Sequence, residues 1–280
     1  RVNVSGFGGV VTQAQGEALL PAITSTTDAL SYVVSGTTAD GSVSYQIQAI
    51  DEKDGGHWRV VEQRTNALGQ VVTRVSYDRA LSTATVNGWL ADTRLEAGEV
   101  TGALTALYAG VTHEHDASVR EHLVYDVLGR VRFSVVELGV NAGGAVMHRI
   151  SETQYDQAGN ALTTIGFAQT VTLSGYSEGS IEGALTPIRN DATNAVVERV
   201  YDALNRVRFQ IDAKGDLSEI QYRASGEVSS QSQYMDITVG AGTARTVSAL
   251  ETLRGSRTPG DTYGTRGVSY GYDAAGRQTS

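Results

Sequence analysis

The segment Tyr125-Asp126-Val127-Leu128-Gly129-Arg130 decides the fold, because the same six-residue shape recurs along the chain. The close copies are Tyr155-Asp156-Gln157-Ala158-Gly159-Asn160, Tyr201-Asp202-Ala203-Leu204-Asn205-Arg206, Tyr222-Arg223-Ala224-Ser225-Gly226-Glu227 and Tyr272-Asp273-Ala274-Ala275-Gly276-Arg277. The weaker copies are Thr65-Asn66-Ala67-Leu68-Gly69-Gln70 and Ile211-Asp212-Ala213-Lys214-Gly215-Asp216. This recurrence indicates a repeat architecture.

Each copy has the chemistry of a tight hairpin turn. Asp or Asn at the second position can bond its own backbone two residues on. The fifth residue must then adopt a positive φ, which glycine does freely and asparagine at modest cost. We therefore predict positive φ at Gly129, Asn205, Gly215 and Gly276. The residues assigned to the turns are Tyr125, Asp126, Gly129, Arg130, Tyr155, Asp156, Gly159, Tyr201, Asp202, Asn205, Arg206, Asp212, Gly215, Tyr222, Gly226, Tyr272, Asp273, Gly276 and Arg277.

The residues that follow the turns alternate between apolar and polar, which is typical of half-buried strands. The apolar set that we expect to share one buried layer is Val131, Phe133, Val207, Phe209 and Ile211. The polar set that we expect to face water or a hydrated cavity is Arg130, Arg132, Arg206 and Arg208. We therefore predict an all-β fold, an array of antiparallel hairpins with strands of about five or six residues.

Composition supports a β-protein and excludes several functions. The 280 residues include 32 glycines, 3 prolines and no cysteine, and the formal net charge is −9. The acidic balance argues against binding to nucleic acid or anionic lipid, and the missing cysteine excludes thiolate chemistry and disulfides. No apolar run is long enough for a membrane span, and no signal peptide is recognisable at residues 1–10, so any export signal is expected to lie outside this sequence.

The array is expected to cover residues 41–280, with residues 1–40 as an ambiguous N-terminal segment expected to form strands of the same sheet. Three longer stretches interrupt the hairpin spacing, near 82–120, 166–195 and 240–267. We interpret them as elongated hairpins or surface loops within the array. A short helix is also expected within Leu95–Tyr108, although two glycines weaken that prediction.

The Tyr-Asp-x-x-Gly-Arg units resemble the YD repeats of the RHS (rearrangement hotspot) family. That family includes bacterial polymorphic toxins, wall-associated proteins, the C components of insecticidal toxin complexes and the animal teneurins. The resemblance runs from about Thr65 to the end of the sequence. It implies a β-sheet coiled into a ribbon or hollow shell, an extracellular or cell-surface location, and a scaffold or container role.

The sequence departs from the toxin members of that family at one decisive place. It lacks the Asp-Pro-x-Gly-Leu boundary at which they self-cleave, and Pro21, Pro187 and Pro259 all lie in other contexts. Self-cleavage and toxin activity are therefore not carried over. We expect this sequence to be an internal piece of a longer chain, or a divergent array.

Two polar clusters are candidate metal sites. His113-Glu114-His115-Asp116, with His122 nearby, would place residues 113 and 115 on one side of a strand, where they could share Zn²⁺ or Ni²⁺. The acidic segment 51–56 suggests Ca²⁺ but lacks the ligand spacing of an EF-hand loop. Both are interpreted as ordinary polar surface, so no catalytic residue, cofactor or metal ligand is predicted.

The function predicted from sequence is a non-enzymatic scaffold module of a large secreted or surface-displayed repeat protein. Its partners would be adjacent repeats of the same parent chain or further copies of itself. The main alternative is adhesion to surface glycans through exposed aromatic residues such as Trp58 and Trp89. A weaker alternative is a hydrolase sited in the irregular segments.

Overall fold

The computed structural model describes residues 31–51, 56–91, 95–255, 264–273 and 275–279. Most of the ambiguous N-terminal segment lies outside these residues, as does the interior of the acidic turn at 51–56. Residues 31–38 of the N-terminal segment form the first described strand and pair with the second.

The described residues form fifteen strands and four α-helices, and the strand pairs with a described register are antiparallel. The strands are β1 Ser31–Thr38, β2 Gly41–Asp51, β3 His57–Asn66, β4 Val71–Ser76, β5 Leu81–Ser82, β6 Val119–Tyr125, β7 Val131–Val140, β8 Val146–Tyr155, β9 Ala161–Gly166, β10 Val171–Thr172, β11 Ala195–Tyr201, β12 Val207–Ile211, β13 Asp216–Tyr222, β14 Val228–Thr238 and β15 Thr265–Ser269. The helices are α1 Thr83–Ala91, α2 Ala97–Leu107, α3 Glu178–Leu185 and α4 Val247–Arg254. The predicted β fold class is confirmed.

The chain divides into two compact units. The first comprises Arg1–His148 and Val171–Ile181, and the second comprises Arg149–Thr170 and Glu182–Ser280. In the first unit the strand order is β1-β2-β3-β4-β6-β7, with β5 on β3 and β10 on the start of β8. In the second unit the order is β8-β9-β11-β12-β13-β14-β15.

Each unit has its own apolar core beneath a helix. In the first unit Tyr45, Ile47 and Val60 of the sheet pack with Val100 and Leu104 of α2. The core of the second unit joins sheet residues to α4, and its members are Val200, Phe209, Ile211, Leu217, Tyr234, Ile237, Val239 and Leu250. Burial of this apolar surface stabilises each unit by roughly 25 cal/mol per Å² removed from water.

The three long segments carry helices in addition to loop residues, which the interpretation as elongated hairpins or surface loops did not include. Residues 82–120 hold α1 and α2, residues 166–195 hold α3, and residues 240–267 hold α4. The predicted helix within Leu95–Tyr108 is present as α2. Its two glycines lie on the exposed side while Val100 and Leu104 are buried, and this burial outweighs the low helix propensity of glycine.

From β4 onward, three tight turns separate one helical segment from the next. The Tyr-Asp type of turn joins β3 to β4, β6 to β7, β8 to β9, β11 to β12 and β13 to β14. At the other strand ends, β7 joins β8 and β12 joins β13 by tight turns, whereas helical segments lead from β4 to β6, from β9 to β11 and from β14 to β15. A helical segment therefore occurs at every second one of these connections.

Beta-bulges just after the turns change the predicted side-chain alternation. Val200 pairs with Phe209 and Tyr201 with Val207, so Arg208 is an extra residue on β12. A bulge turns two successive side chains toward one face, and Arg208 accordingly forms an ion pair with Glu219, the residue opposite Phe209.

A bulge of the same kind makes Arg132 the extra residue on β7, because Val124 pairs with Phe133 and Tyr125 pairs with Val131. The guanidinium of Arg132 forms an ion pair with Glu178. The prediction that arginines and apolar residues take opposite faces is therefore wrong for Arg132 and Arg208. Phe133, Phe209 and Ile211 are buried as predicted, and Val131 and Val207 are half-buried.

Replacement of Gly129 by Val should destabilise the protein. The φ of Gly129 is 79°, a conformation that β-branched residues rarely adopt. We expect a loss of about 1–3 kcal/mol in the free energy of unfolding, measured by urea denaturation. The matched control is Gly139→Val on β7, where an added Cβ meets no atom within 4 Å. Equal losses for both variants would contradict the turn geometry.

Candidate functional site

The aspartate of each Tyr-Asp turn organises the turn backbone. Asp126 Oδ1 accepts hydrogen bonds of 2.9 Å from the N–H groups of Leu128 and Arg130, and Oδ2 accepts one of 2.7 Å from Arg130 Nε. Partial burial opposes ionisation, but the bonds from Arg130 outweigh it and lower the pKa of Asp126 below its ordinary value. The charged aspartate therefore holds its own turn closed.

The fifth residue of the turn has positive φ wherever it was predicted. The φ is 79° at Gly129, 58° at Asn205, 87° at Gly215 and 75° at Gly276. Among the described non-glycine residues, Asn205 alone has a positive φ. This matches a type I turn closed by a G1 bulge, in which the fifth residue is left-handed.

The turn that begins at Tyr222 keeps this backbone without an aspartate. Arg223 N–H donates to Glu227 C=O at 2.8 Å, and Gly226 N–H donates to Arg223 C=O at 3.0 Å. The charges of the second and sixth residues are reversed relative to the Asp126 turn, and Arg223 Nη2 reaches Tyr270 C=O at 3.0 Å. The glycine and the backbone bonds are therefore sufficient for the turn.

The tyrosine that precedes each turn links neighbouring hairpins. Four tyrosine hydroxyls donate to backbone carbonyls of the preceding hairpin, at 2.7 Å from Tyr125 to Val71, 3.1 Å from Tyr201 to Ala161, 2.9 Å from Tyr222 to Val207 and 3.0 Å from Tyr272 to Val228. In every case the acceptor is the first residue after an earlier six-residue turn, and for Tyr222 that turn is Tyr201–Arg206.

These tyrosine–carbonyl links lie beyond the end of the backbone ladder. The ladder between β4 and β6 runs from Ser76 to Thr73, and Val71 lies two residues past its end. The ladder between β12 and β13 stops at Phe209, and Val207 again lies two residues beyond. The hydroxyl thus satisfies a carbonyl that the ladder does not reach and extends the contact between strands to the turn.

Some turn tips also contact one another. In the second unit, Asn160 Nδ2 donates to Asn205 Oδ1 at 3.1 Å, and the Arg206 guanidinium lies 4.2 Å from the ring centroid of Tyr222. In the first unit, Gln70 Nε2 donates to Gly129 C=O at 3.3 Å. These contacts add lateral hydrogen bonds and cation–π attraction to the tyrosine links.

Tyr77-Asp78 begins like the six-residue turns but lacks the glycine at the fifth position, and it has a different role. Asp78 accepts hydrogen bonds from Ser118 Oγ at 3.0 Å and from Ala117 N–H at 3.3 Å. It also accepts one from Tyr108 OH at 2.5 Å. Asp78 therefore closes the base of the segment that carries α1 and α2.

Buried glutamates attach the helical segments to the sheet. Glu152 on β8 is 0% exposed and forms an ion pair with Arg189, which follows α3. Glu219 on β13 is 1% exposed and lies 3.6 Å from Arg254 at the end of α4. A charge buried this deeply requires a partner, so these pairs fix where each segment docks.

Sequence reasoning missed these glutamates. Glu152 and Glu219 occupy positions two residues after Ile150 and Leu217, in register with the buried face of their strands. Glu62 on β3 follows Val60 in the same way and accepts a hydrogen bond of 2.7 Å from Tyr77 OH. The sequence signal that could have identified them is an acidic residue at a strand position where the alternation predicts a buried apolar one.

The candidate metal ligands His113 and His115 do not lie on a strand. His113–His115 form a 3-10 turn, in which residues two apart do not share a face, and Thr112 Oγ1 lies 3.0 Å from His115 Nδ1. His122 lies on β6 beside Thr73 and Glu137. In the described ranges, no group of three or more His, Cys, Asp or Glu residues could hold a metal ion.

Comparison with known proteins identified similar structures but no family. Neither a family model nor a curated protein matches the chain. The crystal structure of TcdB2-TccC3 is similar at 11% identity and a TM-score of 0.29, over 95% of this chain and 14% of that chain. That of TcdB2-TccC3-Cdc42 is similar at 11% identity and a TM-score of 0.26, over 84% and 12%.

The chain therefore spans less than a sixth of the length of the structures it matches. At these TM-scores the similarity decides neither family nor function, and the description of the fold rests on the strand pairing of the chain itself. None of the helices in the described residues has the length and apolar character needed to cross a bilayer.

Removal of one tyrosine hydroxyl should weaken the array measurably. Tyr201→Phe leaves the Ala161 carbonyl without its hydroxyl donor, and we expect a loss of about 1 kcal/mol in the free energy of unfolding. The control is Tyr270→Phe, whose hydroxyl lies 3.4 Å from Gln231 Oε1 and makes no link to a backbone carbonyl. Urea denaturation with equal midpoints for Tyr201→Phe and the parent would contradict the role of the link.

Loss of the Arg189 charge should cost more than loss of a hydroxyl. Arg189→Met leaves the fully buried Glu152 without this cation, and we expect about 3–5 kcal/mol of destabilisation. The double variant Arg189→Met with Glu152→Met should recover most of that loss, because no charge then remains buried. A double variant as unstable as the single variant would contradict the docking role of the pair.

Proposed function

We propose that this chain is a non-enzymatic scaffold module, a set of Tyr-Asp hairpins linked into a rigid sheet within a larger repeat protein. The observation that carries the proposal is the tyrosine–carbonyl link, which recurs in the same position at four hairpins. A contact repeated at four hairpins serves the array as a whole, whereas a catalytic or binding site needs its residues assembled at one place.

The way in which the helical segments are attached supports the same role. Arg189 and Arg254 reach buried glutamates of the sheet, and Asp78 closes the base of its segment with three hydrogen bonds. These charged groups are therefore engaged in holding the structure together. The arrangement favours a stable platform over a reactive cleft.

The resemblance to YD repeats extends this proposal to location and assembly. We infer that the chain acts outside the cell or at its surface, as part of a coiled ribbon or hollow shell. Its partners there would be adjacent repeats or further copies of the same chain. The lack of cysteine suits such a setting, because oxidation has no thiol to attack.

Adhesion to glycans has a narrow basis in the structure. Trp58 is 6% exposed and packs against Tyr32 with ring centroids 5.6 Å apart. Among the described aromatic residues, Tyr176 is the one whose side chain counts as exposed, at 38%. Most other rings lie in the core or take part in the links between hairpins.

A binding and activity screen of the purified 280-residue chain tests the scaffold proposal. We expect no saturable binding on a glycan array and no turnover in a broad hydrolase panel. Tyr176→Ala and the double variant His113→Ala with His115→Ala serve as matched controls. Saturable glycan binding abolished by Tyr176→Ala, or turnover abolished by the histidine variant, would contradict the proposal.

Location is tested separately. Antibodies raised against the chain should label intact source cells or their culture medium, and a cytoplasmic marker should remain unlabelled in the same preparation. Labelling that appears only after the cells are lysed would contradict the proposed surface location.

A further inference from the structure

A short segment of the first unit is held to the sheet by a chain of titratable side chains. We call residues 171–178 the strap; it runs from β10 to the start of α3. Val171 and Thr172 pair with His148 and Met147 of β8. Beyond this two-residue ladder, the strap is held by side chains of Tyr176 and Glu178.

Tyr176 lies at the centre of the network. Its hydroxyl donates to Glu137 Oε1 at 2.7 Å and lies 3.2 Å from His148 Nε2. Its ring stacks on His122, with centroids 3.6 Å apart and planes 15° from parallel. His122 Nε2 lies 2.9 Å from the same Glu137 oxygen. The tyrosine therefore joins the strap to three sheet residues on β6, β7 and β8.

His148 is the buried member of the network. It is 3% exposed, and its two ring nitrogens face the Val171 carbonyl at 3.3 Å and the Tyr176 hydroxyl at 3.2 Å. Both of these partners are uncharged. An imidazolium at this position would be a buried charge in contact with no carboxylate, which is costly in a protein interior.

The surrounding charges do not compensate for a second positive imidazole. Burial opposes the ionisation of Glu137, but hydrogen bonds from His122 and Tyr176 outweigh it and hold its pKa at about 2, so this carboxylate is ionised. Glu137 already faces His122 at 2.9 Å and Arg120 at 4.0 Å.

The other charges around His148 belong to neighbouring elements. Asp116 is engaged by Arg120 at 2.6 Å, and Glu178 of the strap pairs with Arg132 on β7. A positive charge on His113 in the 3-10 turn disfavours charge on His148. The carboxylates of Asp116, Glu137 and Glu178 are each already engaged by another side chain.

We propose that the strap is an acid-sensitive clasp, which protonation of His148 releases from the sheet while the rest of the unit stays folded. The strap is the natural point of release because its backbone ladder has two residues and its remaining contacts pass through this network and the Arg132–Glu178 pair. The proton that binds His148 is the ligand of the clasp. Its binding exposes β10 and Tyr176 to solvent.

The sign of the pH dependence follows from the burial of His148. Burial lowers the pKa of His148 below its ordinary value of 6.5, although the Val171 carbonyl and Glu137 act in the opposite direction. A histidine with a lowered pKa in the folded state favours folding above pH 6.5 and loses that contribution as the pH falls through the lowered value. The strap should therefore be closed at neutral pH and open below it.

Hydrogen exchange measured by mass spectrometry tests the clasp. Protection of the peptide that covers residues 171–181, corrected for the intrinsic pH dependence of exchange, should fall between pH 7.5 and pH 5. A peptide covering β2, in the same first unit, should keep its protection and so exclude unfolding of that unit. Protection of the strap that is constant or that rises in acid would overturn the proposal.

Variants separate His148 from the other histidines. His148→Gln stays neutral at all pH values and should remove the acid response of the strap, whereas His113→Gln should retain it. A His148→Gln variant that still shows the fall in protection would overturn the proposal.

A measurement on the unaltered protein covers the case in which the variant does not fold. The NMR signals of the His148 ring and of the Tyr176 ring should titrate together, with a midpoint below 6.5. A midpoint above that value, or a Tyr176 signal that ignores the titration of His148, would also overturn the proposal.

Discussion

The hydrogen bond from a tyrosine hydroxyl to a backbone carbonyl is the interaction on which the array depends. An antiparallel pair loses its ladder where strands separate toward their turns, and a carbonyl left there without a donor costs free energy. The tyrosine supplies that donor from the next hairpin. Because the acceptor always follows the six-residue turn, the same short sequence both ends one hairpin and binds the next.

Much of the local structure could be predicted from sequence because its causes are local. Asp126 binds backbone groups two and four residues away, and Gly129 supplies the positive φ, so six residues of sequence are enough to predict the turn. The tyrosine was recognised as part of the turn, but its acceptor belongs to another hairpin, as far away as residue 71 for Tyr125. Contacts of that range depend on strand order, which the repeat alone does not specify.

The features that sequence reasoning missed share a different cause. Strict alternation placed Arg208 away from the apolar layer, but a single inserted residue turned it toward Glu219. The helix α2 was expected, but its glycines weakened that prediction, and the buried stripe of Val100 and Leu104 was decisive. In both cases tertiary packing overrode a local pattern, and buried charges such as Glu152 become interpretable when the docking segment is known.

The alternation of tight turns with helical segments divides the chain into parts that are free to change and parts that are not. Lengthening a helical segment leaves the two strands it connects in place, because Asp78-type closures and buried ion pairs fix its ends. Inserting a residue into a Tyr-Asp turn, by contrast, would displace a hydroxyl from its carbonyl. Evolution can therefore diversify the surface of such a protein at every fourth connection while the sheet beneath retains its register.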